Sequence, residues 1–463
     1  MNHWVHMMMG RFVAGLGIGN LSVGVPMFQS ECSPREIRGA VVASYQLLIT
    51  LGILISNCVN FGVREIEDSS ASWRIVVGLG IFFSLPLGIG INFVPESPRW
   101  LAARQNWDGA RLSMARLRGL KHDPNNELVE DDMKEMREIL EKERRVGVGT
   151  WKECLVPQKN GVPKQVYRTI LGISIHFLQQ WTGVNYFFYY GATIFESAGI
   201  DDPIRTQLIL GAINVGMTFY GLYIVERYGR RWPLFLGALW QSAWLAVFAA
   251  VGTALNPEGN RAAGIVMIVA AAMFIAAFAG TWGPMCWVVI GETFPLRTRA
   301  KQASLATAGN WLGNCKNATP PFQSLSVRLS TDLASIVMIS FLTPLATDGI
   351  SFSYGFVFVG TNLAAAALVW FFLYESVSLS LENVDLMYSQ DHLKPWTSSK
   401  WKPPGYITRM KRDDEYFRHM DEDDDRTHVP SGRPSRLEDE KKTSNDLGDV
   451  PHESRDERAS NAV

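Results

Sequence analysis

Stretches of about twenty almost uncharged residues recur along this chain, the length an α-helix needs to cross a bilayer. They run over Val5–Met27, Ala40–Phe61, Trp73–Val94, Val166–Ile194, Ile209–Val225, Trp232–Ala254, Ala262–Gly291 and Tyr354–Tyr374. A ninth, Gly309–Leu345, is apolar at both ends but interrupted by Lys316, Arg328, Asp332 and the pair Pro320–Pro321. Charged residues are 19% of the chain, and most lie in two blocks, Pro95–Lys164 and Glu375–Val463, so the remaining body is nearly charge-free. In hydrocarbon a backbone must satisfy its own polar groups, which helices do. The class is an all-α polytopic membrane protein.

Lysine and arginine orient it. Arg35 and Arg38 follow the first run, Arg99, Arg104 and Arg111 the third, Arg227, Arg230 and Arg231 the fifth, and Arg297, Arg299 and Lys301 the seventh. These loops are expected to be cytoplasmic, which puts Met1 outside and points to sequence missing upstream. The insert 95–164 carries Leu and Met at helical spacing and predicts short amphipathic helices. The region 375–463 ends in DEDDDRTH and SRLEDEKKTSNDLGD and is expected to be a mostly disordered cytoplasmic tail. The five cysteines are scattered singly, with neither metal-ligand nor disulfide spacing. The membrane body has no carboxylate pair, histidine cluster, nucleophile–base arrangement or nucleotide-binding fingerprint, so neither an enzyme nor a cofactor is expected.

One internal echo organises the chain. Glu31 and Arg38 flank six residues after the first run, and Glu292 and Arg299 flank six after the seventh. Matching pairs at matching topological positions suggest two homologous halves.

The most polar patch inside a clean run is LQQWTGVNYFFYYG. Gln179, Gln180 and Asn185 are costly against lipid and are expected to face protein or a wet cavity. Gln180 and Asn185 lie about 140° apart on an ideal helix, so both can face one cavity only if the helix yields between them, at Thr182–Gly183. Amides offer both donor and acceptor, which suits a neutral polyol. Gln46, Asn214 and Asn310 are further amides within runs, and Trp287, Trp311 and Tyr189–Tyr190 could supply flat apolar surface. Helix–helix hydrogen bonding is the bland alternative for the amides, and packing or an interfacial belt for the aromatics. Arg11 lies inside the first run and needs a partner, a wet cavity or a route for its head to the outer interface.

FVAGLGIGNLSVGVPMFQSECSPREIR, PESPRWL, QQWTGVNYFFYYG, ERYGRR and GPMCWVVIGETFPLRTRA together resemble the sugar porter family of the major facilitator superfamily, and within it fungal hexose transporters. The resemblance implies a major facilitator fold in which the first match here is the fourth helix. Three helices would then be absent and about nine spans present, one interrupted. It divides the chain into 1–94, the rest of the N-terminal membrane half; 95–164, a helical linker; 165–374, the C-terminal half; and 375–463, the tail. It implies a sugar site lined by Gln46, Gln179, Gln180, Asn185, Asn214, Trp287, Asn310 and Trp311, and an outer gate at Tyr189 and Tyr190. A cytoplasmic charge network would join Glu31, Arg38, Arg99, Glu226, Arg230, Arg231, Glu292 and Arg299. Arg11 resembles an arginine that in proton-coupled members pairs with a first-helix aspartate, so proton coupling stays open.

The expected function is hexose transport by alternating access, with a monosaccharide and the bilayer as partners and no nucleic acid. The protein would be a plasma-membrane monomer. The alternative on the same fold is a sugar sensor signalling through its tail. The ending YESVSLSLENVDLMY resembles the family's but lacks its Pro and Gly. The interruption Cys315–Val337 fits a translated intron, with a genuine loop, glycosylated at Asn317, as rival. The chain as given is expected not to transport.

Overall fold

The computed structural model describes residues 4–34, 37–63, 71–147, 149–157, 162–188, 203–255, 260–295, 297–314, 351–377, 379, 381–390 and 392–403. The first three apolar runs form α1 (Trp4–Cys32), α2 (Arg38–Val63) and α3 (Ala71–Gly90). The polar insert follows as α4 (Pro98–Ala103), α5 (Trp107–Leu117), α6 (Glu127–Val146) and α7 (Trp151–Leu155). The C-terminal helices are α8 (Gln165–Gln180), α9 (Pro203–Arg227), α10 (Arg231–Ala254), α11 (Arg261–Gly280), α12 (Trp282–Thr293), α13 (Arg299–Asn314) and α14 (Gly355–Phe372). Among the described residues seven helices are long and apolar enough to cross a membrane, with α11 and α12 taken as one.

α10 packs on α11 and α14, α8 on α13, and α2 on α9 and α12, so α2 carries much of the contact between the two ends of the chain. In lipid, close packing rather than water exclusion holds helices together. The core of the C-terminal set is aromatic. Phe187 meets Phe248 at 5.0 Å between ring centroids and Phe274 at 5.3 Å. The first pair is edge-on, an arrangement that adds about 0.5–1.5 kcal/mol beyond simple contact, and the second is tilted. α3, by contrast, buries none of its apolar window.

The insert folds as its spacing predicts. Ser97 caps α4, with Pro98 in the first turn, and Asn106 caps α5 by accepting from the Gly109 amide at 2.9 Å. Ala102, Ala110, Met114, Val129 and Met133 then close a small core of their own. α7 is tied to the start of α13 by an ion pair between Arg297 and Glu153 at 3.0 Å and by Lys301 donating to the Gly149 carbonyl.

Two expectations are modified. The run Ala262–Gly291 breaks at Thr281, which takes φ −132° and ψ −81°. Pro284 explains the break: it lacks an N–H and its ring would clash with the Gly280 carbonyl in a continuous helix. The stretch expected to open a mostly disordered tail is folded as far as residue 403. It forms α15 (Leu381–Ser389) and a 3₁₀ turn over Pro395–Lys400, and buries Glu375, Ser376, Val384, Met387 and Tyr388. The proposed insert 315–337, the gate pair Tyr189 and Tyr190, and residues 404–463 lie outside the described residues.

Candidate functional site

α8 ends where the sequence had room to yield. Gln180 is its last residue, Trp181 and Thr182 form a turn, and Gly183 takes φ +99° before a second helical stretch at 184–188. That φ favours glycine, and Phe358 lies 2.9 Å from where a side chain at Gly183 would begin. The carbonyls released by the break are recovered by α14. Thr361 Oγ1 donates to the Trp181 carbonyl at 2.6 Å, and Asn362 Nδ2 to the Thr182 carbonyl at 2.8 Å.

The break lets the amides join in one line. Asn185 Nδ2 donates to Gln180 Oε1 at 2.7 Å, and Gln180 Nε2 to Asn310 Oδ1 at 3.2 Å. Asn310 Nδ2 donates to Gln179 Oε1 at 2.7 Å, and Gln179 Nε2 to the carbonyls of Trp282 and Gly283 at 2.8 and 3.0 Å. Every amide points the same way, and the fixed carbonyls of α12 set the direction. Gln179, Asn310 and Asn185 are buried, whereas Gln180 is only partly so. Gln179 is thus held from both ends of its amide, while Gln180 keeps part of its surface open.

Around this line, Gln46 of α2 places its Cγ 3.5 Å from where a side chain at Gly283 would begin. Trp287 is buried and meets Tyr45 edge-on at 4.9 Å and His176 at 4.7 Å. Trp311 is 42% exposed. Asn214 is buried on α9, but its Oδ1 has no hydrogen-bond partner among the described residues and no bond links it to the line. Arg11 is exposed on α1.

At the other end of the helices the charged residues form a network. Arg230 grips Glu292 with two bonds, Nε to Oε2 at 3.0 Å and Nη2 to Oε1 at 2.7 Å, and both residues are buried. Burial opposes the Arg230 charge; the Glu292 carboxylate, then Glu375 and Glu226, outweighs it and raises the pKa. Glu226 accepts from the Ala40 amide at 2.7 Å, joining α9 to α2. Glu31 accepts from Ser97 Oγ at 2.7 Å, and Arg99 lies close enough to act on the Cys32 thiol beside it. Arg38 is buried, and Arg231 stacks over Trp370 at 4.6 Å. Arg299 is buried, and its Nε donates to the Phe294 carbonyl at 3.1 Å.

Four participants escaped the sequence. His176 Nδ1 lies 3.0 Å from Asn310 Nδ2; its signal was a position one turn ahead of Gln179. Glu375 accepts from the amides of Arg230 and Arg231 at 3.0 Å each, and Ser376 Oγ donates to Glu292 Oε2 at 2.8 Å. Arg168 is buried, pairs with Asp385 and stacks over Tyr388 at 4.1 Å.

Helices spanning a membrane in this order, with a broken helix carrying amides and a charge network at the helix ends, define a membrane transporter of the major facilitator fold. The match to the family model for sugar (and other) transporters extends over residues 1–320 and 323–388, and the chain belongs to that family. It is 39% identical over 397 residues to the high-affinity glucose transporter ght5 of Schizosaccharomyces pombe, covering 85% of this chain and 67% of that one. It is 39% identical over 408 residues to the low-affinity glucose transporter HXT3 of Saccharomyces cerevisiae, covering 87% and 67%. Among solved structures it resembles the proton:xylose symporter XylE bound to 6-bromo-6-deoxy-D-glucose. That likeness has a TM-score of 0.67 and 26% identity over 82% of this chain and 73% of the other.

Proposed function

We propose that the amide line recognises glucose-like hexoses and that the fold moves them across the plasma membrane by alternating access, as a monomer. The observation that carries this is the contrast within the line between Gln179, locked to two backbone carbonyls, and Gln180, the one member that is only partly buried. A neutral, hydroxyl-rich ligand can enter such a line by donating to one amide and accepting from the next. An analogue lacking one hydroxyl would leave a buried amide unpaired, which penalises it. Relatives named as glucose transporters and the sugar-bound XylE support the choice of ligand. Trp311, partly exposed, suits an apolar face of the ring, and Tyr189 and Tyr190 are assigned to the gate.

The charge network is the cytoplasmic closure in this reading, because Glu226 and Arg230 meet α2 there. Arg11 is the candidate for proton coupling, since XylE is named a proton symporter.

Equilibrium binding of radiolabelled D-glucose to the purified chain in detergent tests recognition. Saturable binding that other hexoses displace and Gln180→Ala weakens is expected; absence of saturable binding overturns the proposal. Uptake of D-glucose into a yeast strain stripped of its own hexose carriers tests, in parallel, the transport half of the proposal.

A further inference from the structure

Asn310 holds its place through one nitrogen. Nδ2 carries two hydrogens, and both are committed: one to Gln179 Oε1 at 2.7 Å, the other towards His176 Nδ1 at 3.0 Å. A single hydrogen bond leaves an amide free to swing about it. Two from the same nitrogen fix its plane, and here that plane aims Oδ1 at Gln180.

The imidazole is itself held. His176 is fully buried on α8, and its ring stands edge-on to Trp287 at 4.7 Å. Trp287 is backed by Tyr45 of α2 at 4.9 Å. Nδ1 can accept from Asn310 only if the ring is neutral with its proton on Nε2. Nε2 makes no hydrogen bond of ordinary geometry among the described residues, although the Cys286 carbonyl is close enough to interact with the ring. In that tautomer the bare lone pair of Nδ1 faces the Asn310 amide.

We propose that His176 is a positioning residue for sugar recognition, which through Nδ1 fixes the plane of Asn310 and thereby the orientation in which Gln180 meets the ligand. Without that acceptor, one Asn310 N–H is left unpaired in a buried place. The amide relieves this by rotating, and Gln180, bonded to Asn310 Oδ1, is carried with it. The inference rests on the reading of the amide line as the sugar site.

The test separates ring from acceptor. His176→Phe keeps an aromatic ring against Trp287 and removes the acceptor; His176→Asn removes the ring but can place an oxygen near the position of Nδ1. Binding of radiolabelled D-glucose to each purified full chain is measured, with competition by singly deoxygenated glucoses and with Asn310→Ala as the control on the site itself. His176→Phe is expected to weaken glucose about tenfold and to narrow the gap between glucose and its deoxy analogues, while His176→Asn stays within about threefold of the parent. His176→Leu carries the same expectation as His176→Phe and covers failure of the phenyl variant to fold.

Unchanged binding and discrimination in both acceptor-free variants would overturn the proposal. A loss in His176→Asn as large as in His176→Phe would also overturn it, since the ring alone would then matter. In those cases an effect of Asn310→Ala leaves the sugar site standing. No effect of Asn310→Ala removes the site, and the role of His176 with it.

Discussion

The carboxylate of Glu375 fills the space that Gly229 leaves empty. Gly229 takes φ +81°, and a side chain there would begin 2.6 Å from Glu375 Oε2. The same carboxylate accepts from the amides of Arg230, Arg231, Ser376 and Val377. Two of those donors stand at the start of α10, where unpaired amides and the helix dipole favour an anion. Gly229→Ala is therefore expected to lower stability by roughly 2–3 kcal/mol, from backbone strain and displacement of the carboxylate. The apparent midpoint of thermal unfolding in detergent measures it, and a midpoint equal to the parent's would contradict this account.

Gly39 tests the contact between α2 and the network. A side chain there would begin 2.5 Å from Arg230 Nη2 and 2.8 Å from Glu226 Oε1, both already engaged. Gly39→Ala should push α2 away and release the Ala40 amide from Glu226. Hydrogen–deuterium exchange of the peptide around residue 40 is expected to speed up, whereas Gly24→Ala, with open space around it, changes nothing. Equal exchange in the two variants would sink the idea.

Asn310→Asp keeps the shape and removes the donors. Its carboxylate would face Gln179 Oε1 and His176 Nδ1, two acceptors, inside a buried site. A buried polar group left unpaired costs about 1–3 kcal/mol, so glucose affinity should fall roughly 10- to 100-fold. Parent-like affinity would show that the line does not contact sugar.

Trp311 makes the opposite prediction for stability. Being 42% exposed, it contributes little to the core. Trp311→Ala is expected to weaken glucose about tenfold, the worth of an aromatic face against a sugar ring, with the unfolding midpoint unmoved. A lowered midpoint with intact binding would assign Trp311 to packing instead.

Cys154 reports on the linker. It is fully buried on α7, and burial pushes its thiol pKa up. Alkylation needs the thiolate, so its reaction with a maleimide should be slow at neutral pH and rise only at higher pH than for a free thiol. Arg297→Ala, which removes the ion pair to Glu153, should loosen α7 and accelerate labelling at every pH. Labelling at the parent's rate would mean α7 is held without that pair.

The spans, the amphipathic linker and the break near Thr182–Gly183 were legible because each depends on local pattern: length, periodicity, or two amides that one straight helix could not bring together. The break at Thr281 was equally local, through Pro284, but hidden inside an apolar run that looked continuous. His176 was different, since a lone histidine on an apolar helix gives no sign of which amide it will meet from α13, more than a hundred residues away. Glu375 was hidden for a related reason. Its partners are backbone amides, which every sequence possesses, and only folding brings those of 230 and 231 to it.

The bond from Asn185 to Gln180 crosses the break that ends α8. A flex between the two helical pieces changes that bond, while the other links in the line join α8 to α12 and α13 and do not cross the break. The Gln180 amide is thus a gauge of the angle at the joint, because its Oε1 and the Asn185 Nδ2 it accepts from stand on opposite sides of the break.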